Sequence, residues 1–266
     1  MATRSLFSSR LGTKLALGLI STLAAGLASA ATLKAEYLFN NGLTSSLAGA
    51  PALVDPYGTN GFMADTVFGQ SRTVYTSNGT DTSQAGLTLN SSGLVSNTSY
   101  SVEMLFNVTG GYYLYKRLLR TGADDNGLYV DPAGKLNTYT GPFGPNPGLA
   151  FSLNNYHDMV VTVSGGSTEV WLDGQLSHTV ATHVLDIAAP TNILNFYIDE
   201  SPYEFTNART ALIRVWDGAL GSSDIAALSA DPLTSRADAV PEPSAIALLA
   251  TGLGLAGFAA RRRRRL

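Results

Sequence analysis

Three acidic side chains lie close together in the segment YIDESPYEF, namely Asp199, Glu200 and Glu204. Carboxylate oxygens carried on loops are the ligands that calcium prefers, and Pro202 makes this segment a predicted loop. A second acidic group, Asp-Asp-Asn at residues 124–126, occupies a predicted turn. The sequence therefore predicts a calcium site at Asp199, Glu200 and Glu204, with 124–126 as a weaker alternative. Solvated acidic loops have the same composition, so both interpretations stay open at this stage.

Aromatic side chains in the predicted loops have the chemistry to stack on sugar rings. The aromatic ring offers an apolar face to the sugar, and neighbouring polar groups of the loop can bind its hydroxyls. The segment GGYYLYKR is the densest example, although its alternation also fits a core strand. We expect Tyr112 and Tyr203 to contact a ligand. Trp171 and Trp216 fall inside predicted strands and are expected to be packing residues.

The chain has three histidines and no cysteine. A metal-dependent hydrolase needs two or three histidines converging with a carboxylate, whereas His157 opens a predicted core strand and is expected to be a structural, hydrogen-bonded imidazole. His178 and His183 are expected at the surface. Because disulfides are absent, the core alone must hold the fold together.

The elements that must position these side chains are predicted to be β-strands. Apolar residues alternate with polar ones in SVEMLFNV (101–108) and MVVTVS (159–164), which is the pattern of strands with one buried face. In ALIRVW, the same alternation predicts that one face carries Ala211, Ile213 and Val215.

Turn and helix signals complete the predicted architecture. Asp173-Gly174 lies between two strand-like runs and predicts a tight hairpin, because both positions tolerate a positive φ. One short helix is predicted over 222–229, capped by Ser222 or Ser223. Many short strands separated by dense turns are typical of a two-sheet antiparallel sandwich.

Five segments resemble the laminin-G-like, concanavalin A-like domains in the order that these domains show. The segments are AEYLFNNGLTSSL (35–47), SYSVEMLFNV (99–108), RLLRTGADDNGLYVDPAGKL (117–136), NNYHDMVVTVSGGSTEVWLDGQL (154–176) and ARTALIRVWDGALGSSDIAAL (208–228). Tyr156 stands where the family often has Trp. The resemblance implies an all-β jelly-roll domain, which we place at residues 31–235 with one short C-terminal helix, and family members that bind calcium at the rim support the predicted metal site.

Some sandwiches of this kind are glycoside hydrolases, with carboxylates on alternate strand residues. Their Glu-x-Asp-x-x-Glu spacing is absent from this chain, and the densest acidic segment, 199–204, is a predicted loop. We therefore predict no catalytic residues and no enzymatic activity.

The N-terminal segment has the features of a secretory signal peptide. Arg4, Arg10 and Lys14 precede an apolar run, and Ala28-Ser29-Ala30 supplies a small-x-small cleavage site. We expect residues 1–30 to be removed by cleavage between Ala30 and Ala31.

The C-terminal segment combines Pro241-Glu242-Pro243, an uncharged apolar stretch at 245–260 and five arginines at 261–265. These three parts resemble the PEP-CTERM sorting signal of exopolysaccharide-producing Gram-negative bacteria. We assign residues 236–266 to it, with the apolar stretch as a transmembrane helix whose basic end stays cytoplasmic. The resemblance implies recognition at the inner membrane by an exosortase, a cysteine-type transpeptidase, with removal of the tail.

The charge of the central region restricts its partners. Residues 31–240 hold nine basic and nineteen acidic side chains, a net charge of −10, which disfavours nucleic acid. We expect an exported protein of the cell surface or extracellular matrix that binds carbohydrate, such as exopolysaccharide, or another surface component. Two alternatives are a polysaccharide hydrolase or lyase on the same fold, and a purely structural matrix protein.

Overall fold

The computed structural model of the chain describes residues 31–237, apart from 59, 81–82, 112–113, 123–124, 142–144 and 201–203. The predicted signal peptide, including Ala30, lies outside the described residues. So do the sorting tripeptide Pro241-Glu242-Pro243 and the predicted transmembrane helix. Tyr112 and Tyr203 also fall outside them.

The alternating segments form β-strands throughout the described part of the chain. The strands are β1 (Thr32–Tyr37), β2 (Gly61–Val67), β3 (Gln70–Ser77), β4 (Leu87–Asn90), β5 (Ser99–Gly111), β6 (Lys116–Arg120), β7 (Gly127–Val130), β8 (Lys135–Tyr139), β9 (Pro145–Ala150), β10 (Tyr156–Ser164), β11 (Ser167–Leu172), β12 (Gln175–Val180), β13 (Ile193–Phe196) and β14 (Thr206–Asp217). One helix, α1 (Ser222–Ala230), follows them. Within the described residues, no helix has both the length and the apolar character that crossing a membrane requires.

The strands form two antiparallel sheets. The larger has eight strands in the order β12-β11-β10-β5-β14-β3-β2, and β1 pairs with β14 alongside β3. The smaller has six strands in the order β4-β13-β6-β7-β8-β9. The main core draws buried residues from both sheets, so it lies between them. The all-β, two-sheet antiparallel prediction is confirmed.

The longest strand, β5, shows how the alternating pattern sets burial on the two faces of the large sheet. Val102, Met104 and Phe106 belong to the main core. Leu105 points to the other face, hereafter the outer face, where it joins a second buried cluster with Leu212. Successive side chains of a strand point to opposite faces, so a buried Leu105 requires that the outer face is also covered.

A β-bulge changes the face of one predicted core residue. The register of β14 against β5 shifts between Thr210 and Leu212, which leaves Ala211 as the extra residue. Ala211 accordingly belongs to the outer cluster, whereas Ile213 and Val215 belong to the main core. The prediction that all three share one face is wrong for Ala211, because strict alternation does not survive a bulge.

The hairpin between β11 and β12 forms at the predicted Asp-Gly pair. Asp173 has φ 51° and Gly174 has φ 78°. Two consecutive residues in the left-handed region are the requirement of a type I′ turn, whose twist matches that of the flanking strands. The predicted hairpin is therefore confirmed.

Helix α1 occupies the predicted position with a different cap. The N-cap residue is Gly221 rather than Ser222 or Ser223. The Asp224 carboxylate in the first turn accepts a hydrogen bond from the Gly221 N–H at 3.2 Å, which satisfies one donor that the helix leaves unpaired. Ile225 and Leu228 are buried, as the pattern predicts.

A fully buried ion cluster lies on the outer face beneath the chain that follows β14. Arg214 of β14 is 0% exposed, as are its partners Glu36 of β1 and Glu103 of β5. Its Nε donates to Glu36 Oε1 at 2.8 Å, and its Nη1 donates to Glu103 Oε2 at 3.0 Å. Burial and the nearby Asp158 carboxylate raise the pKa of Glu103 to about 8, against the attraction of Arg214.

The same cluster holds the segment after α1 against the sheet. Arg214 Nη2 donates to the carbonyl of Thr234, Ser235 Oγ donates to Glu36 Oε2 at 2.6 Å, and the Arg236 N–H donates to Glu36 Oε1 at 2.8 Å. Burial acts to raise the pKa of Glu36, but these hydrogen bonds outweigh it and the pKa lies below its ordinary value. Residues up to 236 are thus fastened to the outer face.

Replacing Arg214 with Met is expected to lower the free energy of unfolding by about 3–5 kcal/mol, because the Glu36 carboxylate would remain buried without a cation. The measurement is urea unfolding of the full-length chain, combined with limited proteolysis of the segment after α1. Arg209→Met is the matched control, since Arg209 is 39% exposed and its loss is expected to cost about 1 kcal/mol or less. A loss below about 1 kcal/mol for Arg214→Met would contradict the role given to this cluster.

Candidate functional site

The two acidic loops singled out in the sequence meet at one buried arginine. Arg117 of β6 is 0% exposed. The loop between β6 and β7 supplies Asp125, and the loop between β13 and β14 supplies Asp199 and Glu200. The two predicted alternatives are thus parts of one cluster, because the fold places these loops side by side.

The guanidinium of Arg117 occupies the centre of this cluster. Its Nη2 lies 2.5 Å from Asp199 Oδ1, 2.6 Å from Glu200 Oε2 and 3.0 Å from Asp125 Oδ1. The ring of Tyr129 covers the guanidinium, with its centroid 4.0 Å from Cζ, in a cation–π contact. Charge, hydrogen bonding and packing of Arg117 are all satisfied inside the protein.

The membership of the acidic cluster differs from the predicted set. Ligand oxygens of Asp125, Asp199 and Glu200 lie within 4.8 Å of one another, which makes them the one group of metal-ligating residues found in the described part of the chain. Glu204 is outside this group, although its backbone carbonyl accepts a hydrogen bond from the backbone N–H of Arg117 at 2.8 Å. Burial and the charges of Asp199 and Asp125 raise the pKa of Glu204 to about 7.

The cluster already contains its cation. Asp199 stays ionised because hydrogen bonds and the charge of Arg117 overcome the effect of burial, and its pKa is lowered. Burial and the hydrogen bond with Asp199 raise the pKa of Glu200. Calcium requires six to eight oxygen ligands around a central position, and the guanidinium fills that position here. These carboxylates do not fit a calcium ion while Arg117 holds them. Calcium binding at this cluster is untested and stays a prediction.

The three histidines have separate partners. His157 Nδ1 lies 2.7 Å from Asp173 Oδ2, which fits the predicted structural role. His178 is half-buried rather than a surface residue, with Nε2 at 2.7 Å from Thr138 Oγ1, and burial lowers its pKa to about 4. His183 is exposed, as predicted.

A groove of about 540 Å³ opens on the outer face of the large sheet, beside the start of α1. We call it the Trp171 groove. It is lined by Thr162, Ser164, Ser167, Glu169, Trp171, Leu176, Ala219, Leu220, Gly221 and Ser222. One indole ring, several hydroxyl groups and one carboxylate therefore share a shallow concave surface.

The indole of Trp171 is the one aromatic ring that lines this groove. Its Nε1–H donates to Glu169 Oε2 at 3.2 Å, so the ring is oriented by a residue of the same strand and face. Val170 and Leu172 point into the main core instead. A partly exposed aromatic face bordered by hydroxyl groups is suited to stack on the C–H face of a sugar ring.

The two tryptophans differ in burial. Trp216 is 5% exposed and packs as predicted. Trp171 lies in a strand as predicted, but its side chain is only half-buried and also lines a groove. The sequence did contain a signal for this position. Trp171 lies two residues after Glu169 in β11, so both side chains point to the same face of the sheet. Tyr112 and Tyr203 lie outside the described residues and stay predictions.

Two family models match the sequence. Residues 80–226 match the model of the concanavalin A-like lectin/glucanases superfamily, and residues 239–264 match the PEP-CTERM protein-sorting motif. A comparison with curated proteins found no match.

Solved structures with low sequence identity share the fold. Domain 4 of AbnA, a GH43 extracellular arabinanase from Geobacillus stearothermophilus solved in complex with arabinotriose, has a TM-score of 0.58 at 20% identity, covering 75% of this chain and 99% of that chain. The botulinum neurotoxin serotype D binding domain has a TM-score of 0.52 at 12% identity, covering 75% of this chain and 51% of that chain. The chain thus belongs to the concanavalin A-like lectin/glucanases superfamily and carries a PEP-CTERM protein-sorting motif.

Proposed function

We propose that this chain is a non-catalytic surface protein whose sandwich binds carbohydrate through the Trp171 groove. The observation that carries the proposal is the half-buried indole of Trp171 in a groove of the outer face that it shares with hydroxyl groups and one carboxylate. A large apolar ring left partly open to solvent gains free energy when a ligand covers it. The surrounding hydroxyl groups and the Glu169 carboxylate then supply hydrogen-bond partners for sugar hydroxyls.

The chemistry of the groove favours binding over bond cleavage. Glycoside hydrolysis commonly needs two carboxyl groups about 5–10 Å apart on either side of the scissile bond. Glu169 is the one acidic residue among the residues that line the groove, and it already accepts the Trp171 N–H. A single oriented carboxylate suits recognition of a hydroxyl pair. This supports the proposed absence of enzymatic activity.

The comparisons support a carbohydrate as the ligand class. The arabinanase domain, which has a similar fold, was solved in complex with arabinotriose. The description of the superfamily names lectins and glucanases. Titration with several oligosaccharides identifies the specific sugar. The net charge of −10 over 31–240 favours a neutral glycan over an acidic one.

The sorting motif supplies the cellular context. A PEP-CTERM motif implies export, processing by an exosortase and membrane-associated sorting to the cell surface. We propose that the final location is the surface or extracellular matrix of a Gram-negative bacterium, with exopolysaccharide as the partner. A purely structural role without a ligand is the competing proposal.

Replacing Trp171 with Ala is expected to weaken oligosaccharide binding at least tenfold, a loss of about 1.4 kcal/mol, because the stacking face disappears. The measurement is titration calorimetry of the full-length chain in mild detergent with arabino-, cello- and xylo-oligosaccharides. Trp171→Phe should retain part of the affinity. Tyr57→Ala, at an exposed aromatic away from the groove, should bind like the parent chain.

A reducing-end assay on the same mixtures tests the absence of catalysis. Sugar release by the parent chain would favour the hydrolase alternative. If Trp171→Ala bound every oligosaccharide as tightly as the parent chain, the groove would not be the carbohydrate site.

Processing at the sorting motif is expected to remove the tail in cells that contain an exosortase. Mass spectrometry of protein recovered from the cell surface should find no peptide from residue 245 onward. A chain with Pro241 and Pro243 both replaced by Ala is expected to keep its tail, because the extended backbone that the prolines impose is lost. Recovery of intact residues 261–265 from surface material of the parent strain would contradict the expected processing.

Replacing Arg117 with Met is expected to reveal whether the acidic cluster accepts calcium. The variant should be about 3–5 kcal/mol less stable, since Asp199 would lose its buried cation. Millimolar calcium should raise its melting temperature and leave that of the parent chain unchanged, with a chelator as the reverse test. A calcium-dependent rise in the parent chain would show that the ion binds although Arg117 is present.

A further inference from the structure

A second concave site lies on the outer face at the opposite end of β5 from the Trp171 groove. It is a polar pocket of about 380 Å³ between β2, β5, β10 and β14, and we call it the Asn107 pocket. Thr162 of the groove pairs with Ser101 near the start of β5, whereas Tyr156 of the pocket pairs with Asn107 near its end. Six residues of strand separate these positions by about 20 Å.

Asn107 supplies an unsatisfied polar group at the base of this pocket. Its side chain is 6% exposed, and its Oδ1 has no hydrogen-bond partner among the residues that the structure describes. Phe106 and Val108, its neighbours in β5, face the main core, so the amide faces outward into the pocket. A buried acceptor without a partner is destabilising, and a ligand that donates a hydrogen bond would satisfy it.

The charged groups beside Asn107 compensate each other. Asp65 Oδ2 accepts the Tyr156 hydroxyl at 2.7 Å and Arg209 Nη1 at 3.1 Å, while Asp65 Oδ1 accepts the Thr66 N–H at 2.8 Å. The carboxylate is therefore held in place and its charge is balanced by one guanidinium. Because the Arg209 side chain is 39% exposed, its outer N–H groups can reach a ligand.

An exposed aromatic ring stands beside these polar groups. Phe68 lines the pocket, is 53% exposed and has φ 47°, followed by Gly69 with φ 79° in the turn between β2 and β3. These two φ values meet the requirement of a type I′ turn, so the ring is carried at the tip of the hairpin. A solvent-exposed aromatic ring beside polar groups can contact a ligand.

These features together select a neutral ligand that carries both hydroxyl groups and an apolar face. Balanced charges at Asp65 and Arg209 give no net attraction for an anion or a cation. A hydroxyl group donates to a carbonyl oxygen and accepts from an amide or guanidinium N–H, so neighbouring hydroxyls can satisfy Asn107 and Arg209 together. The C–H face of the same molecule can lie on Phe68.

We propose that the Asn107 pocket is a second carbohydrate site, specific for a neutral sugar with adjacent hydroxyl groups. The proposal rests on the proposed carbohydrate binding of this chain and adds a site with its own residues. Two sites on one face allow the protein to hold a glycan at two points or to join two glycan chains. Occupation of both sites increases the overall affinity without a new contact, provided that the geometry permits simultaneous binding.

The test is a titration of the full-length chain in mild detergent, followed by NMR of the Asn107 side-chain amide and by Trp171 fluorescence. The probes are neutral arabino-, cello- and xylo-oligosaccharides and an oligogalacturonate of similar length. A neutral probe should shift the Asn107 amide signal in the parent chain and also in Trp171→Ala. The oligogalacturonate should bind the pocket at least tenfold more weakly.

Two variants separate a binding role from a structural one. Asn107→Leu should bind the neutral probe in the pocket at least tenfold more weakly, as judged by the signal of the Arg209 guanidinium, while its melting temperature rises because an unsatisfied acceptor is removed. Phe68→Ala should weaken binding similarly, and Phe62→Ala, at an exposed ring of β2 outside the pocket, should not.

Three results would overturn the proposal. They are an Asn107 amide signal that no neutral probe shifts, a pocket that prefers the oligogalacturonate, and an unchanged affinity in both Asn107→Leu and Phe68→Ala. Loss of the Trp171 fluorescence response with a persistent Asn107 shift would instead count against the groove alone. The two sites are therefore judged independently.

Discussion

The outer face of this protein depends on the ion pairs and hydrogen bonds of one buried guanidinium, that of Arg214. It ties β14 to β1 through Glu36 and to β5 through Glu103, and it binds the carbonyl of Thr234 beyond α1. A buried carboxylate without a cation is costly, so Arg214 and Glu36 must stay paired on the outer face. The segment that follows the helix hydrogen-bonds to this pair and is therefore held on the outer face. That segment covers the centre of the sheet and leaves concave sites toward the two ends of β5.

The chain uses the same solution a second time at Arg117. A protein without cysteine cannot tie its loops by disulfides, and here a central arginine collects carboxylates from two loops through Asp125, Asp199 and Glu200. The sequence of these acidic loops resembles a calcium site. In the folded protein their carboxylates are paired with the guanidinium of Arg117 instead. The guanidinium provides what a metal would otherwise supply, namely a positive centre with several directed contacts.

The two sites proposed to bind carbohydrate lie on one face of the protein. The Trp171 groove and the Asn107 pocket share the outer face, while the core between the sheets is apolar. Ser235 and Arg236, which contact Glu36, lie just before the sorting motif matched at 239–264. Removal of the residues from 245 onward would leave these contacts in place.

The sequence by itself determined the strands, the Asp173-Gly174 hairpin, the short helix and the family, because alternation and turn chemistry are local and each is encoded within a few residues. It did not determine the bulge that moves Ala211, the convergence of Asp125 with Asp199, or the groove beside Trp171. Each of these depends on which distant segment lies opposite, and opposite charges attract at close range whatever their separation along the chain. The tertiary structure alone therefore decided that the acidic residues surround an arginine and that the Trp171 groove and the Asn107 pocket lie on the outer face.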